Sequence, residues 1–274
     1  MAHDISLTPT EVATLNARFA RSEPQELLRW GLERFPGRIA LSSSFGAEDV
    51  ALIDMLWRID PSARVFTLDT LRLPTETYGL IDQIRAKYGI NLQIMYPDLG
   101  AVDQMVRERG YNAFYASVEN RHFCCGLRKV EPLKRALADL DAWITGIRRD
   151  QATTRTDAEK IEIDDVHPGL IKLNPLADWT EAQVWDYIHA HDVPYNALHD
   201  QGFPSIGCAP CTRAVAAGED PRSGRWWWEQ DDMIGKECGL HVNYEDQAET
   251  LLDIAGTHPH PGPPPEGEGA RLHQ

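Results

Sequence analysis

Arg38-Ile39-Ala40-Leu41-Ser42-Ser43-Ser44-Phe45-Gly46-Ala47-Glu48-Asp49 reads as a short apolar strand that runs into a polar loop and opens a helix. The helix carries Val50, Ile53, Met55, Leu56 and Trp57. The same strand-to-helix alternation recurs downstream. Val65–Leu68 is a second strand ending at Asp69-Thr70, Pro74–Tyr88 the next helix, and Asn91–Tyr96 a third strand. Trp143–Gly146 and Ile171–Asn174 supply a fourth and a fifth. Such alternation predicts an α/β fold, a mostly parallel sheet with helices on both faces. Ligands of such sheets bind beyond the carboxyl ends of the strands. The loops 42–49, 69–77 and 146–156 are therefore expected on one rim.

Ahead of this core, residues 1–37 read as two packing helices. Thr8-Pro9-Thr10-Glu11 starts the first, and Ser22, followed by Pro24 and Glu26, starts the second. Beyond it, Trp179-Thr180-Glu181 opens a helix. From Thr257 onward Pro, Gly and His dominate, and residues 257–274 read as a disordered tail. The 274-residue chain has 27 Lys and Arg against 42 Asp and Glu, a net charge of −15. That acidity disfavours nucleic acid or an anionic membrane as partner. No apolar run approaches the ~20 residues of a membrane span, and Met1–Glu11 lacks the apolar core of a signal peptide. A cytoplasmic protein is expected, in which grouped cysteines mean metal or redox chemistry.

There are five cysteines. Cys124-Cys125 and Cys208-Ala209-Pro210-Cys211 form two close pairs, and Cys238 stands alone between Lys236 and His241. A structural zinc site would use two Cys-x₂₋₄-Cys pairs, and the adjacent pair suits that poorly. An iron–sulfur cluster offers separate irons to neighbouring cysteines. Two unrelated pairs of buried thiols are the plain alternative. Arg121, His122, Arg128 and Lys129 crowd the first pair with cations. Cys238 reads either as a packing residue or as a nucleophile whose thiolate the adjacent Lys236 and His241 favour.

Four segments in this order, Cys124–Leu133, Gly207–Arg213, Gly224–Glu229 and Lys236–His241, resemble the assimilatory adenylyl-sulfate (APS) reductases, the iron–sulfur branch of the phosphoadenylyl-sulfate (PAPS) reductase family. The resemblance spans residues 38–245, taken as one domain. It implies a PP-loop, adenine nucleotide alpha hydrolase-like fold and a [4Fe–4S] cluster on Cys124, Cys125, Cys208 and Cys211. It further implies thioredoxin-dependent reduction of APS to sulfite and AMP through S-sulfocysteine on Cys238, with Lys236 and His241 in support. PAPS, or both nucleotides, is the alternative substrate; a PP-loop tRNA-thiolation enzyme would want a glycine-rich ATP loop and a basic RNA face. No thioredoxin-like domain follows, so the reductant is expected from outside.

The substrate's oxyanions call for fixed cations, for which Lys129, Arg149, Arg155, Arg222 and Arg225 are the candidates. Arg148 and Arg213 read as solvated surface charges. Ser42 and Ser44, with backbone N–H groups of their loop, resemble the family's modified PP-loop and would cradle the nucleotide. Leu68-Asp69-Thr70-Leu71-Arg72-Leu73 keeps the family's Asp69 and Thr70 but has Leu71 where glycine is usual. Of Trp226-Trp227-Trp228, at least two are expected to pack in the core, with shielding of the cluster or stacking on adenine as the other roles.

Overall fold

The computed structural model describes residues 7–152 and 155–229. Lys236, Cys238, His241 and the stretch 257–274 lie outside the described residues. Helix α1 (Pro9–Phe19) starts as expected: Thr8 and Glu11 form a reciprocal capping box, with Pro9 in the first turn. Helix α2 (Pro24–Arg34) differs from expectation, since its cap is Glu23 and the Ser22 hydroxyl instead donates to Phe19 O at 3.0 Å.

Six strands form one sheet: β1 (Ile39–Ser42), β2 (Arg64–Leu68), β3 (Asn91–Met95), β4 (Ala142–Ile144), β5 (Ile161–Ile163) and β6 (Ile171–Leu173). Their spatial order is β3-β2-β1-β4-β6-β5, and only the β5–β6 pair is antiparallel. Helices α3 (Ala47–Ile59), α4 (Thr75–Tyr88), α5 (Leu99–Arg109), α6 (Val118–Cys125), α7 (Glu131–Leu137) and α8 (Glu181–Ala190) complete the described regular structure. Alternate strand residues fill two cores. Ile39, Leu41, Val65 and Ile144 join α2, α3 and α8 on one face. Ala40, Phe66 and Trp143 meet Leu133, Ala136 and Leu137 of α7 on the other.

Strand β5 is an addition to the expected sheet. Three residues in an acidic stretch carry little pattern, and pairing with β6 makes the strand. The α1 side chain of Asn16 covers its outer edge, accepting from Ile161 N and donating to Ile161 O, both at 2.9 Å. Those bonds occupy backbone groups that an open edge would offer to another chain. Among the described residues no helix is long and apolar enough to cross a membrane.

The chain leaves β1 for β2 and β3 on one side, while β4 and β6 lie on the other. The carboxyl ends of β1 and β4 thus flank the point where strand order reverses, the expected position of a ligand crevice. Beneath it, α3 is buried along most of its length. Its Asp54 is fully buried and accepts from Arg58 Nε at 2.6 Å, Tyr187 Oη at 2.7 Å and Tyr88 Oη at 3.0 Å. Burial pushes this carboxyl up, but the bonds from Arg58, Tyr187 and Tyr88 outweigh it and its pKa is lowered. One carboxylate therefore joins α3, α4 and α8. Asp54→Ala strands two phenolic hydroxyls in the core and should cost on the order of 2–4 kcal/mol in urea unfolding; a loss below ~0.5 kcal/mol would mean that the network holds nothing together.

Candidate functional site

The β1–α3 loop is built around a buried carboxylate. Asp49, in the first turn of α3, accepts from Ser44 N at 2.5 Å and Ser44 Oγ at 2.8 Å. Ser43 N donates to Phe66 O, and Ser43 Oγ accepts from Phe45 N at 3.1 Å. Phe45 is buried and takes φ of 59°, a left-handed conformation that bulky residues seldom adopt. The loop thus turns sharply and sets Ser42, Ser44 and the start of α3 along a cavity of about 270 Å³. Desolvation raises the Asp49 pKa to about 6, against the opposing bonds from Ser44.

The β4 loop forms the facing wall, and glycine is needed where the two meet. A Cβ on Gly146 would collide with Asp49 Oδ1 and come within 2.9 Å of Glu48 Cβ. The two arginines after it stand opposite to the positions expected of them, Arg148 inward and Arg149 outward. Arg148 is buried, lines the cavity, and is held by Glu48 at 2.8 Å and by Asp150. Arg149 is not among the lining residues; its Nε donates to Ala158 O at 2.7 Å, and Glu159 lies 3.6 Å away. Neighbouring side chains leave an extended backbone on opposite sides, so identity at 148 or 149 carries no information about which faces inward. Arg213 is half-exposed and pairs with Glu219, a surface charge as expected.

Of the other candidates, Ser42, Ser44, Lys129, Arg155, Arg222 and Arg225 all line this cavity. Asp69 is not among its lining residues. It accepts from Leu71 N and Tyr78 Oη, each at 2.8 Å, and so shapes the turn that brings Thr70 to the cavity. Leu71 itself has φ of 61°, the region glycine enters without penalty, and its side chain is exposed. Leucine thus keeps the turn at a conformational cost. His199 was not foreseen: it lines the cavity, packs edge-on to Trp185, and its buried Nε2 has no hydrogen-bond partner among the described residues. A lone histidine in a loop carries no sequence signal for this.

A second, smaller cavity is lined by all four paired cysteines. Cys124 and Cys125 end α6, and a π-helical turn, Gly126–Val130, follows before α7. Such widened turns recur at functional sites. Cys208 caps and Cys211 ends a single 3-10 turn, which Ala209 N ties to Arg72 O at 2.8 Å. Thr70 Oγ1 lies 3.2 Å from Cys208 Sγ. No group of three or more His, Cys, Asp or Glu side chains among the described residues is placed to hold a single metal ion. Burial, then the Cys208 charge, pushes the Cys211 thiol up to about 12, and burial raises Cys124 despite Arg128. Such thiols ligate only when a metal takes the place of the proton.

The donor set fits a sulfur-ligated cluster larger than one ion. Four thiols face one space, and Arg72, Arg121, Arg128, Lys129 and Arg225 line it with them. Two of these cations carry unused donors: Arg128 Nε and Arg225 Nε are buried without a hydrogen-bond partner among the described residues. Lys129, Arg225 and Trp226 line both cavities and so form a common wall. Trp226 is buried beneath the Arg121 and Arg225 guanidiniums, Trp228 packs on Phe114 and Tyr115, and Trp227 is exposed.

Residues 38–214 match the family described as the phosphoadenosine phosphosulfate reductase domain. The chain is 52% identical over 205 residues to the adenosine 5′-phosphosulfate reductase of Burkholderia cepacia, covering 75% of this chain and 81% of that protein. The crystal structure of phosphoadenylyl-sulfate reductase from Candida auris, a phosphate complex, superposes with a TM-score of 0.67 at 31% identity, covering 77% of this chain and 98% of that one. Candida glabrata FMN adenylyltransferase, with FAD and inorganic pyrophosphate, gives a TM-score of 0.52 at 16% identity over 93% of this chain and 87% of its own. That likeness concerns the fold alone, the PP-loop type of α/β architecture.

Asp49 gives the site a measurable pH signature. Its folded pKa of about 6 lies above the ordinary 3.8, so the folded chain holds a proton that the unfolded chain has released. Its contribution to stability is complete below pH ~4 and is lost as pH rises to ~6, on the order of 2–3 kcal/mol in all. Asp49→Asn should flatten that segment of the stability profile in urea titrations at successive pH values; an unchanged slope would refute the assignment.

Proposed function

The chain belongs to the phosphoadenosine phosphosulfate reductase family, and from that membership we propose that it reduces adenylyl sulfate to sulfite and AMP in sulfate assimilation, acting as an oxidoreductase on sulfur. The observation that carries this reading is the wall common to the two cavities: Lys129 and Arg225 line both the cleft at the sheet's reversal point and the four-cysteine space. The nucleotide lies in the larger cavity, with Ser42 and Ser44 along it and its phosphosulfate toward Lys129, Arg155, Arg222 and Arg225. Two adjoining oxyanions need several fixed cations, and arginine's planar fork suits them. Arg149, engaged by Ala158 and Glu159, takes no part. Asp69 acts through the turn it holds.

The chemistry is nucleophilic transfer to sulfur. The Cys238 thiolate attacks the sulfuryl sulfur, a Cys238 Sγ–S bond forms, and the S–O bond to AMP breaks. AMP leaves with the bonding pair, and the enzyme carries S-sulfocysteine. A thiolate of thioredoxin, the external dithiol donor, then attacks Cys238 Sγ and expels sulfite. The second donor thiol resolves the mixed disulfide, returning the Cys238 thiol and oxidised donor. The donor thus supplies both electrons, in the reducing cytoplasm. Lys129 and Arg225 offset charge building on the departing phosphate.

Cys124, Cys125, Cys208 and Cys211 would hold a [4Fe–4S] cluster in this reading. When bound, it supplies a fixed charge distribution beside the oxyanions. With that group bound, Arg128 and Arg225, whose buried Nε donors have no partner among the described residues, would have acceptors available in the cysteine cavity they line.

Intact-mass measurement after mixing the protein with APS and no donor should show the gain of one SO₃, absent from Cys238→Ser; a gain that survives this substitution would assign the nucleophile elsewhere. Cys208→Ser should lose both bound iron and turnover. Full turnover by iron-free protein would exclude a catalytic part for the cysteine centre.

A further inference from the structure

The four paired cysteines come from two stretches far apart in the chain, and all four are free thiols. Cys124 and Cys125 end α6, which Ser117 caps by accepting from Asn120 N at 3.1 Å. Just before that cap lies a 3-10 turn, Ala113–Tyr115. Cys208 and Cys211 belong to a second 3-10 turn, Ala209–Cys211. A centre that uses all four thiols needs these two turns held together, because ligands that wander must first be gathered at a cost in entropy. Tyr115 makes the join. Its hydroxyl donates to Pro210 O at 2.7 Å, in the middle of the second turn. Its ring centroid lies 4.5 Å from that of Phe114 and 4.4 Å from that of Trp228. Arg72 closes the circuit from the other side. Its carbonyl accepts from Ala209 N at 2.8 Å, while its guanidinium donates to Tyr111 O at 2.6 Å and Asn112 Oδ1 at 3.0 Å. The same guanidinium stands 5.0 Å above the Phe114 ring. Arg72, Phe114 and Pro210 line the cysteine cavity; Tyr115, 41% exposed, is not among the lining residues and acts from outside it.

We propose that Tyr115 is a positioning residue for the cysteine centre: its hydroxyl straps the Cys208–Cys211 turn to the segment leading into Cys124-Cys125 and slows the opening through which bound iron is lost. The proposal rests on the reading of the four thiols as one iron–sulfur site. Pro210 has no N–H, so the main chain at this point of the turn can be held by a hydrogen bond only through its carbonyl. A phenol suits that task, since its ring packs among aromatic neighbours while its hydroxyl reaches a polar partner. Phe114 and Trp228 already fix the ring, so the hydroxyl loses little further freedom on binding Pro210 O. Without the bond, the turn keeps its tie to Arg72 but loses a direct tie to the segment that carries the other two thiols. Supporting bonds of this kind, one step removed from the ligands, set how firmly a metal group is kept.

Tyr115→Phe keeps the ring and removes the bond. The test compares release of iron to excess ferrozine, under argon, from the full-length wild-type holoprotein and from this variant. Tyr115→Phe should lose iron about three- to tenfold faster, the range expected when one neutral hydrogen bond ceases to oppose opening. Tyr115→Ala, which also removes the ring contacts, should lose it faster still. Asp54→Ala loosens the fold away from the cysteines and should leave the rate within about twofold of wild type, because local opening and global unfolding are separate events. Tyr111→Phe alters an exposed side chain beside the strap and should leave the rate unchanged. Equal release from wild type and Tyr115→Phe overturns the proposal. So does an Asp54→Ala rate raised as much as that of Tyr115→Phe, since release would then follow global stability and not the strap. Wild type that carries no iron as purified would instead count against the cluster reading. The strap is then measured on that same protein by iodoacetamide labelling of the buried Cys211, located by peptide mass. Labelling should be about three- to tenfold faster in Tyr115→Phe, and equal labelling overturns the proposal.

Discussion

Among the described residues four arginines are buried, in a chain whose net charge is −15, and the way each guanidinium is satisfied organises the site. A buried cation without partners is costly enough that the fold must supply them. Arg121 is bound by Glu229 at 2.5 Å, with both side chains almost fully buried. Arg148 is bound by Glu48 and Asp150. The other two have no such carboxylate among the described residues. Arg128 donates to Thr70 O at 2.7 Å, and Arg225 donates to Ser205 Oγ and Ile206 O at 3.3 and 3.4 Å. Both line the cysteine cavity. The pattern separates cations that hold the structure together from cations that still have hydrogen-bonding capacity to offer.

Glycines permit this arrangement at two places where nothing larger fits. Gly146 lets the β4 loop lie against Asp49 and Glu48, which brings Arg148 to its carboxylates. Gly207 lies flat against Arg225, and a Cβ there would stand 2.6 Å from the guanidinium carbon. The segment after it returns as a short antiparallel contact between Thr212 and Arg225, and Trp226 N donates to Cys211 O. The second cysteine pair and the common wall are thus one folded unit, joined to β2 through the Ala209–Arg72 and Thr70–Cys208 contacts.

The larger cavity belongs to the sheet and the smaller one to the helices and loops that cover it. Between them stand Lys129 and, nearly a hundred residues further along the chain, the adjacent Arg225 and Trp226. Placement of the nucleotide loops at the point of strand-order reversal follows from parallel-sheet geometry. Placement of the cysteines beside them does not; it requires the π turn after Cys125 and the pairing of Arg121 with Glu229.

The alternation of apolar strands and amphipathic helices was enough to determine the parallel sheet, because periods of two and of 3.6 leave distinct marks in a chain. The grouped cysteines and their cationic neighbours were equally legible, since few physical uses bring such residues so close together. Strand β5 was not legible, because three residues carry too little pattern and its pairing depends on β6 and Asn16. The exchange between Arg148 and Arg149 was also beyond reach of the sequence: the two are chemically identical, and only the position of Glu48 a hundred residues away decides which turns inward. His199 and the common wall belong to the same class. Local periodicity is written in the chain, whereas the direction a side chain takes within a loop is decided by partners that the fold alone brings near.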